Sequence, residues 1–421
     1  MPGIKPFQAY YYNKDKVKDF ALVIAPPYDV ISADRQQELH NLSPYNFTHI
    51  DLAKELPEDN AENNKYTRAA KTFDKWIKDE VMLKDDGPAI YFYKQEFKIL
   101  GERHSRLGFI ALLELQNPNE SKVYPHENTH QDAIDDRFEL TKSLDAYLSS
   151  IFVCYSDEQR KVEKIFTKHI LSNEPLVDVV DEYGVRNKLW SFKDPALIAE
   201  IQDSLVDQNL FIADGHHRFK TANAIRDLRA SQTDNVTGQE PWNYVMTYFA
   251  NLDSRDLQIF PMHRIIRKVT KKMDFLEEYF RIDKIKDANE LQILLARAGL
   301  NEHAFGLYTR DGIKLLRLKN KLLIDEFIKK GSKELKSLDA NILKYFILDK
   351  LGVKSDDIIY TKDVQDVTSM VDDGTADAGF VLNAVKIKQL KDIALNGEKM
   401  PPKTTYFYPK VVSGLTVYRI E

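Results

Sequence analysis

The chain has 421 residues, which predicts two or three domains, and its 43% hydrophobic and 30% charged residues are ordinary for a globular protein. A formal net charge of -5 gives no global basic field for nucleic acid, and the single cysteine, Cys154, excludes disulfide frameworks and cysteine-based zinc sites within the chain. No apolar run approaches the about 18 residues that span a bilayer, and the N-terminus lacks a signal-peptide pattern, so we expect a cytoplasmic protein.

The predicted elements begin with a buried strand in FALVIAPPYDVIS, which the Pro-Pro pair interrupts. Apolar residues at helical spacing over 61–83 predict an amphipathic helix. AIYFYKQEFKI and SRLGFIALLEL predict two strands, with Gly101 in their connection. A helix over about 133–148 and the strand SSIFVCYS follow. In that strand, Cys154 is expected to be a buried, inert thiol.

The second half of the chain mixes helices and strands in the same way. Helices are predicted over 158–172 and 195–206, and the strand NLFIA then leads through DGHHR into the helix FKTANAIRDLRA. The segment AFGLYTRDGIKLLRL predicts a hairpin with its turn at Asp311-Gly312, and a helix is expected over 338–351. Because helices and strands intermingle and hairpins are present, the sequence predicts an α+β fold rather than a fully parallel sheet.

The stretch LFIADGHHRFKTANAI carries the most chemical information. A short strand runs into the tight turn Asp214-Gly215, and a helix is expected to start near His217. The helix start directs N–H groups and a positive dipole at one point, and Gly215 allows an anion close to the backbone. Arg218 can fork onto phosphate oxygens, and His216 adds a donor beside His217. The pattern predicts a phosphate site; a helix N-cap by Asp214 and a metal-binding histidine pair are the alternatives.

The stretch VYPHENTHQD contains the letters of the zinc-protease motif His-Glu-x-x-His at residues 126–130. A zinc protease needs both histidines on one face of a continuous helix. Here Pro125 precedes the motif, polar residues follow it, and apolar periodicity begins only at Ala133. We therefore expect a strand-to-helix loop. A zinc protease, which this context disfavours, and a polar loop with capping residues are two of the readings of the motif.

Further polar groups could contact a ligand. Arg137 opens the next helix beside two acids, which can simply complement the helix dipole. Asp29 in PPYDVIS could touch the ligand or cap the helix that starts at Ser32, and capping is slightly favoured. His263 and Arg264 in PMHRIIRK are candidates for a second phosphate or carboxylate contact, with an exposed strand end as the alternative. The tail PPKTTYFYPK offers residues that could close over a nucleotide: Lys403, Thr404, Thr405 and Lys410.

The order strand, ADGHHR, helix resembles the phosphate-binding signature of the ParB/sulfiredoxin-like superfamily, and in particular that of free L-serine kinases. Those enzymes phosphorylate the amino acid with a nucleoside di- or triphosphate and Mg²⁺. Their Pro-His-Glu stretch is similar to the one here, and its glutamate takes the hydroxyl proton of serine, so the resemblance implies that role for Glu127. The resemblance covers about 120–230, with 158–206 as an insertion. The whole chain also resembles an uncharacterised bacterial and archaeal family that shares PPYDVIS, PHENTH, DGHHR, PMHR and the tail.

Together these observations predict a ParB-like nucleotide-binding core over 119–268 with additional α/β segments at 1–118 and 269–421. The expected function is that of a small-molecule kinase, with free L-serine as the favoured substrate in view of the resemblance, that uses ATP or ADP with Mg²⁺. Neither a membrane nor a nucleic acid is an expected partner, and the chain could form a homo-oligomer. A non-catalytic nucleotide-binding regulator or a ParB-like DNA-associated protein is the alternative. The residues predicted to act in catalysis are Glu127, Asp214 and His216, and Asp214 is also predicted to bind Mg²⁺. The phosphates are expected to contact Gly215, His217 and Arg218, with further nucleotide contacts from Arg137, His263, Arg264 and the four tail residues. The substrate is expected to contact His126, Thr129 and His130.

Overall fold

The computed structural model of the chain describes residues 3–117 and 121–421, which form two compact units. Unit 1 takes the described residues of Met1–Pro125, Thr129–Leu257 and Pro409–Glu421, and unit 2 takes His126–Asn128 and Gln258–Tyr408. These units do not coincide with the three segments predicted from the sequence. The predicted boundary at 118/119 lies outside the described residues, and one sheet of unit 1 takes strands from both sides of it.

Unit 1 contains both helices and strands, which intermingle along the chain. Its strands are β1 (Ile4–Lys5), β2 (Tyr10–Tyr12), β3 (Met82–Lys84), β4 (Ile90–Ile99), β5 (Glu102–Glu114), β6 (Val123–Pro125), β7 (Ala146–Tyr147), β8 (Ile151–Tyr155), β9 (Val177–Val180), β10 (Arg186–Phe192), β11 (Leu210–Asp214) and β12 (Tyr244–Asn251). Its helices are α1 (Ala33–Leu42), α2 (Thr48–Asp51), α3 (Lys65–Lys78), α4 (Gln131–Leu144), α5 (Lys161–His169), α6 (Pro195–Leu205) and α7 (His216–Ser231). A terminal strand, Tyr418–Arg419, pairs with β7.

A nine-stranded mixed sheet organises unit 1, in the order β6-β11-β8-β12-β5-β4-β10-β9 with β1 beside β5. β11 runs parallel to β6 and antiparallel to β8, whereas β12 runs parallel to β8. β4 and β5 form the predicted hairpin, and Gly101 in its turn has a positive φ of 86°. The mixture of hairpins and helical connections confirms the α+β class.

The packing of unit 1 follows the apolar pattern of the sequence. On α3, Ala69, Phe73 and Trp76 are buried on one face, as the helical spacing predicts, and Asn64 caps the helix with its side chain. In β8, Cys154 is completely buried, and burial raises the pKa of its thiol. The predicted burial of this thiol is therefore confirmed.

Unit 2 contains its own sheet and helices. Its strands are β13 (Gln258–Pro261), β14 (His263–Ile266), β15 (Phe280–Ile285), β16 (Ala304–Thr309), β17 (Gly312–Leu318), β18 (Ile358–Thr361), β19 (Ala378–Val381) and β20 (Thr405–Tyr408). Its helices are α8 (Leu276–Tyr279), α9 (Ala288–Ala298), α10 (Leu323–Phe327), α11 (Lys333–Lys336), α12 (Asp339–Leu343), α13 (Asp349–Leu351), α14 (Val364–Asp372) and α15 (Ile387–Leu395).

Six strands of unit 2 form an antiparallel sheet in the order β15-β17-β16-β19-β14-β18, and β13 pairs separately with β20. The predicted hairpin at Asp311-Gly312 joins β16 to β17, where Gly312 has φ +122°. The helix expected over 338–351 is present as α12 and α13 with a π-helical stretch, Lys344–Leu348, between them. In the described parts of the chain, no helix is both long and apolar enough to cross a membrane.

Candidate functional site

The DGHHR block forms the strand–turn–helix unit that the sequence predicts. β11 ends at Asp214, Gly215 is the N-cap residue of α7 with φ +86°, and the 16-residue helix starts at His216, one position earlier than expected. No side chain caps this helix start, so the alternative in which Asp214 is the N-cap is wrong. The left-handed backbone explains the glycine, because a side chain is strained in this conformation.

A cationic cluster surrounds Asp214 within unit 1. Its carboxylate lies 3.1 Å from the ammonium group of Lys410 and 3.9 Å from the guanidinium group of Arg218. Burial raises the pKa of the Asp214 carboxyl, but Lys410, Arg218 and, to a smaller extent, His216 outweigh it and hold that pKa well below its usual value. Asp214 is therefore ionised at neutral pH, and the cations beside it can meet a second anion.

Arg218 lies across the open side of Gly215. A Cβ atom at Gly215 would be 3.0 Å from the Nε and Nη2 atoms of Arg218, and the same guanidinium group donates a hydrogen bond to the carbonyl oxygen of Ser150. The side chain is 13% exposed, and its hydrogen bond to Ser150 fixes the guanidinium group. This placement suits a fork that binds phosphate oxygens next to the helix start.

The histidines of the two motifs meet at the starts of α4 and α7. The backbone N–H of His130, the N-cap residue of α4, donates to Nε2 of His217 over 3.1 Å, and their rings stack with centroids 6.2 Å apart. His216 is 7% exposed. The hydroxyl of Thr129 is buried and has no hydrogen-bond partner among the described residues. Within the described residues no group of three or more histidine, cysteine or acidic side chains is arranged to hold a metal ion, so the metal-binding histidine pair finds no support.

Arg137 lies in a buried ion network. Its Nη1 donates to the carbonyl oxygen of Asp51 at 2.8 Å and to that residue's carboxylate at 3.1 Å, its Nε and Nη2 bond the Asp136 carboxylate, and its guanidinium group stacks 4.0 Å from the Tyr28 ring centroid. All three nitrogens are used within unit 1. The geometry favours a structural role for Arg137 over the nucleotide contact expected from the sequence.

The PPYDVIS block takes part in this network through Tyr28, while Asp29 does not cap α1. Tyr28–Val30 form a 3-10 turn, and the hydroxyl of Ser32 caps α1 by accepting from the backbone of Arg35 at 3.2 Å. Burial raises the pKa of Tyr28 to about 12 although Arg137 and Arg218 oppose it. Sequence reasoning gave no role to Tyr28 and missed Asp51, because both pair with Arg137, which is far away in the chain.

The strand-to-helix location of the PHENTH stretch is confirmed. β6 ends at Pro125 and α4 begins at Gln131, so His126 and His130 do not lie on a common helix. The zinc-protease alternative is therefore wrong, since it requires both histidines one turn apart on one helical face. Residues 126–128 belong to unit 2, where Glu127 forms a parallel bridge with Met400.

His126 and the tail residues hold one another within unit 2. His126 is completely buried, its Nε2 lies 3.2 Å from the Thr405 hydroxyl, and its carbonyl oxygen accepts from the backbone of Met400 at 2.7 Å. The Thr404 hydroxyl donates to the carbonyl oxygen of Pro401 at 2.5 Å, and Lys403 is exposed with φ +55°. Of the four predicted tail residues, only Lys410 lies in unit 1 and reaches Asp214.

His263 and Arg264 are buried in the sheet of unit 2, so the alternative of an exposed strand end is wrong. His263 is 2% exposed, and its Nδ1 accepts from the backbone of Leu382 at 3.1 Å. Burial, helped by the charge of Arg264, lowers the pKa of His263 to about 4, so it is neutral at pH 7 and supplies no charge for a phosphate. Burial lowers the pKa of Arg264 to about 10, and the negative charge of Glu127 opposes that shift. Glu127 and Arg264 are thus electrostatic neighbours.

Comparisons with known proteins add a family and distant structural likenesses. The family model described as "Protein of unknown function (DUF1015)" matches residues 4–341. A free serine kinase in complex with AMP is 13% identical, with a TM-score of 0.34, over 70% of this chain and 89% of that one. A conserved hypothetical protein from Pyrococcus furiosus is 12% identical, with a TM-score of 0.34, over 70% of this chain and 92% of that one. The C-terminally truncated SbnI from Staphylococcus aureus is 10% identical, with a TM-score of 0.37, over 73% of this chain and 87% of that one. No curated protein sequence matches the chain.

Proposed function

The chain belongs to the DUF1015 family, and from that premise and the geometry around Asp214 we propose that it is a nucleotide-dependent kinase for a small hydroxyl compound. The proposed acceptor is free L-serine, and the proposed product is O-phosphoserine. The donor is ATP or ADP with Mg²⁺. The serine-kinase assignment rests on the resemblance of the DGHHR and Pro-His-Glu motifs, and with it we propose that the core is related to the ParB/sulfiredoxin-like fold.

The observation that carries the proposal is the group of cations beside Gly215. Lys410, Arg218 and His216 all act on one carboxylate, Asp214, at the start of a long helix whose N-cap residue is Gly215. Phosphoryl transfer requires positioning and charge neutralisation more than covalent chemistry from the protein. A cluster of this kind can position a polyphosphate chain and neutralise its charge.

When nucleotide binds, we propose that its phosphates replace Asp214 as the partner of Lys410 and Arg218. The backbone N–H of Gly215 and the first N–H groups of α7 then donate hydrogen bonds to a phosphate oxygen. Asp214 is ionised, and an oxygen ligand of this kind fits Mg²⁺, which keeps several waters and binds through one or two carboxylates plus substrate phosphates. Mg²⁺ supplies neutralisation of phosphate charge.

Glu127 is the proposed general base that takes the proton from the acceptor hydroxyl. The assignment comes from the Pro-His-Glu resemblance, and Glu127 lies close enough to Arg264 for the two charges to interact. His216 is the proposed proton donor or phosphate contact beside Asp214. His126, Thr129 and His130 remain proposed substrate contacts; the buried, unsatisfied hydroxyl of Thr129 is the clearest candidate for hydrogen bonding to a ligand.

The test is direct. The purified protein is incubated with L-serine, Mg²⁺ and either ATP or ADP, and O-phosphoserine is measured by mass spectrometry. We expect product from the wild-type protein and at least about a hundred-fold less from Glu127→Gln, which removes the base but keeps the size of the side chain. Nucleotide affinity, measured by calorimetry, should be unchanged in that variant.

Glu102→Gln, at an exposed position of the β4–β5 hairpin, is the matched control and should retain full activity. Absence of any nucleotide binding by the wild-type protein would contradict the proposal. Nucleotide binding without turnover of serine or other hydroxyl compounds would instead support the non-catalytic regulator.

A further inference from the structure

A buried polar ladder crosses three neighbouring strands of the unit 1 sheet. Gln95 on β4 lies directly opposite Arg106 on β5 and opposite Asn187 on β10. Their exposures are 0%, 1% and 0%. The amide nitrogen of Gln95 donates to Asn187 Oδ1 at 3.0 Å, and Arg106 donates to Gln95 Oε1. Three polar side chains at one register in the middle of a sheet are costly to bury, so their contacts require an explanation.

The ladder ends on the backbone of the chain's tail. Gln95 Nε2 donates to the carbonyl oxygen of Lys410 at 2.9 Å, and Arg106 Nη2 donates to the carbonyl oxygen of Pro409 at 2.6 Å. Both tail residues lie outside any strand, because β20 ends at Tyr408. Side chains of the sheet, and not the backbone of a neighbouring strand, therefore donate to the carbonyl groups of these two tail residues.

The aromatic neighbours of Arg106 extend the ladder toward the DGHHR turn. The guanidinium group lies 4.8 Å from the ring centroid of Phe152 and 5.5 Å from that of Tyr248. Phe152 on β8 is the register partner of Asp214 on β11. Side-chain contacts thus connect the tail backbone, through Arg106 and Phe152, to the strand pair that carries Asp214, whose carboxylate pairs with the tail's ammonium group.

We propose that Gln95 and Arg106 are positioning residues: by fixing the carbonyl groups of Pro409 and Lys410, they place the Lys410 ammonium group at the phosphate site beside Asp214. The proposal deepens the function proposed above and rests on it for the identity of the ligand. Neither side chain contacts the nucleotide. A lysine has four rotatable side-chain bonds, so its ammonium group is presented reliably only when the backbone beneath it is fixed.

The first measurement needs no enzymatic activity. Lys410 is labelled with acetic anhydride in the nucleotide-free protein, with exposed Lys18 as the internal reference, and the rates are read by mass spectrometry. Gln95→Met keeps the length of the side chain but loses the bond to the Lys410 carbonyl, and we expect Lys410 to be labelled about five-fold faster, the size of one lost hydrogen bond. Arg106→Lys keeps the charge and loses the fork, and should accelerate labelling in the same direction.

Gln202→Met is the matched control, because Gln202 Nε2 also donates to a main-chain carbonyl, that of Ile4, at 2.7 Å, without a link to the tail. It should leave the labelling of Lys410 unchanged. If both Gln95→Met and Arg106→Lys leave the labelling rate at the wild-type value, the proposal is overturned.

The second measurement is a double-mutant cycle on nucleotide affinity. Gln95→Met should weaken MgATP or MgADP binding about five-fold in the wild-type background and have no further effect when Lys410 is already Met. Additive losses in the double variant would overturn the positioning role. If labelling responds as expected but the wild-type protein binds no nucleotide, Gln95 still positions Lys410, and it is the proposed kinase function that fails.

Discussion

Asp214 and Lys410 stand 196 positions apart in the chain, yet their side chains form an ion pair of 3.1 Å at the start of α7. Both side chains are 17% exposed, so the pair is shielded from water but open enough to exchange partners. The pairing joins the most informative motif of the sequence to a tail lysine that by itself could have been an ordinary surface residue. It also gives the proposed phosphate site its second cation.

Replacing Lys410 with Met should weaken nucleotide binding. The variant removes a charge-assisted contact to phosphate, and we expect the dissociation constant of MgATP or MgADP to rise about ten-fold, with a weaker dependence on salt. Calorimetry at two ionic strengths measures both effects. Lys98→Met, an exposed change on β4, is the control. An unchanged affinity in Lys410→Met would remove Lys410 from the phosphate site.

Gly215→Ala and Gly101→Ala form a matched pair, since both glycines have φ +86°. Each substitution should lower the free energy of unfolding by about 1 kcal/mol through backbone strain, measured by urea denaturation. A Cβ at Gly101 meets no atom within 4 Å, whereas one at Gly215 presses on Arg218. Only Gly215→Ala should therefore also weaken nucleotide binding, and equal binding by both variants would argue against an anion site at Gly215.

The buried pair of Arg137 with Asp51 should matter for stability and not for nucleotide binding. Arg137→Met leaves the Asp51 carboxylate buried without its main partner, and we expect a loss of about 3 kcal/mol in the free energy of unfolding. Arg186→Met breaks an exposed pair with Asp178 and should cost less than about 1 kcal/mol. If Arg137→Met instead lost nucleotide affinity while keeping its stability, the nucleotide contact predicted from the sequence would return.

The free energy of unfolding should decrease as the pH is lowered, because His263 is buried in its neutral form. Its pKa in the folded protein is about 4, below the ordinary value of 6.5, so between these values the unfolded chain binds a proton that the folded protein does not. The stabilisation is fully present above pH 6.5 and is lost as pH falls toward 4, by about 3 kcal/mol for a shift of this size in a buried group. His263→Asn, whose amide oxygen can still accept from the Leu382 backbone, should flatten the profile.

Urea denaturation at pH 7, 6, 5 and 4 measures that profile. His169→Asn, at an exposed position at the end of α5, should retain the wild-type slope. A His263→Asn protein with the same slope as the wild type would show that other groups govern this range of pH.

Local sequence patterns were sufficient for most of the elements and for the strand–turn–helix unit of the site, although the strand predicted in FALVIAPPYDVIS is wrong, since this segment forms 3-10 turns at Phe20–Leu22 and Tyr28–Val30. The spacing of Ala69, Phe73 and Trp76 places one face of α3 in the core, and Asp214-Gly215 between an apolar strand and an amphipathic helix specifies the turn, because both depend on residues close together in the chain. The same local reasoning rejected the zinc-protease reading of PHENTH, since Pro125 and the polar residues after it cannot form the required helix.

Only the tertiary structure decided which charges meet. His263 and Arg264 are residue types that often bind phosphate, but both are buried within a sheet. Arg137 pairs with Asp51, which lies 86 positions away in the chain. The contacts of Gln95 and Arg106 with the tail depend on strand register and join residues more than 300 positions apart in the chain. Local periodicity determines which face of an element is apolar; the partners of a buried charge are set by sheet order and register, which no short stretch of this sequence encodes.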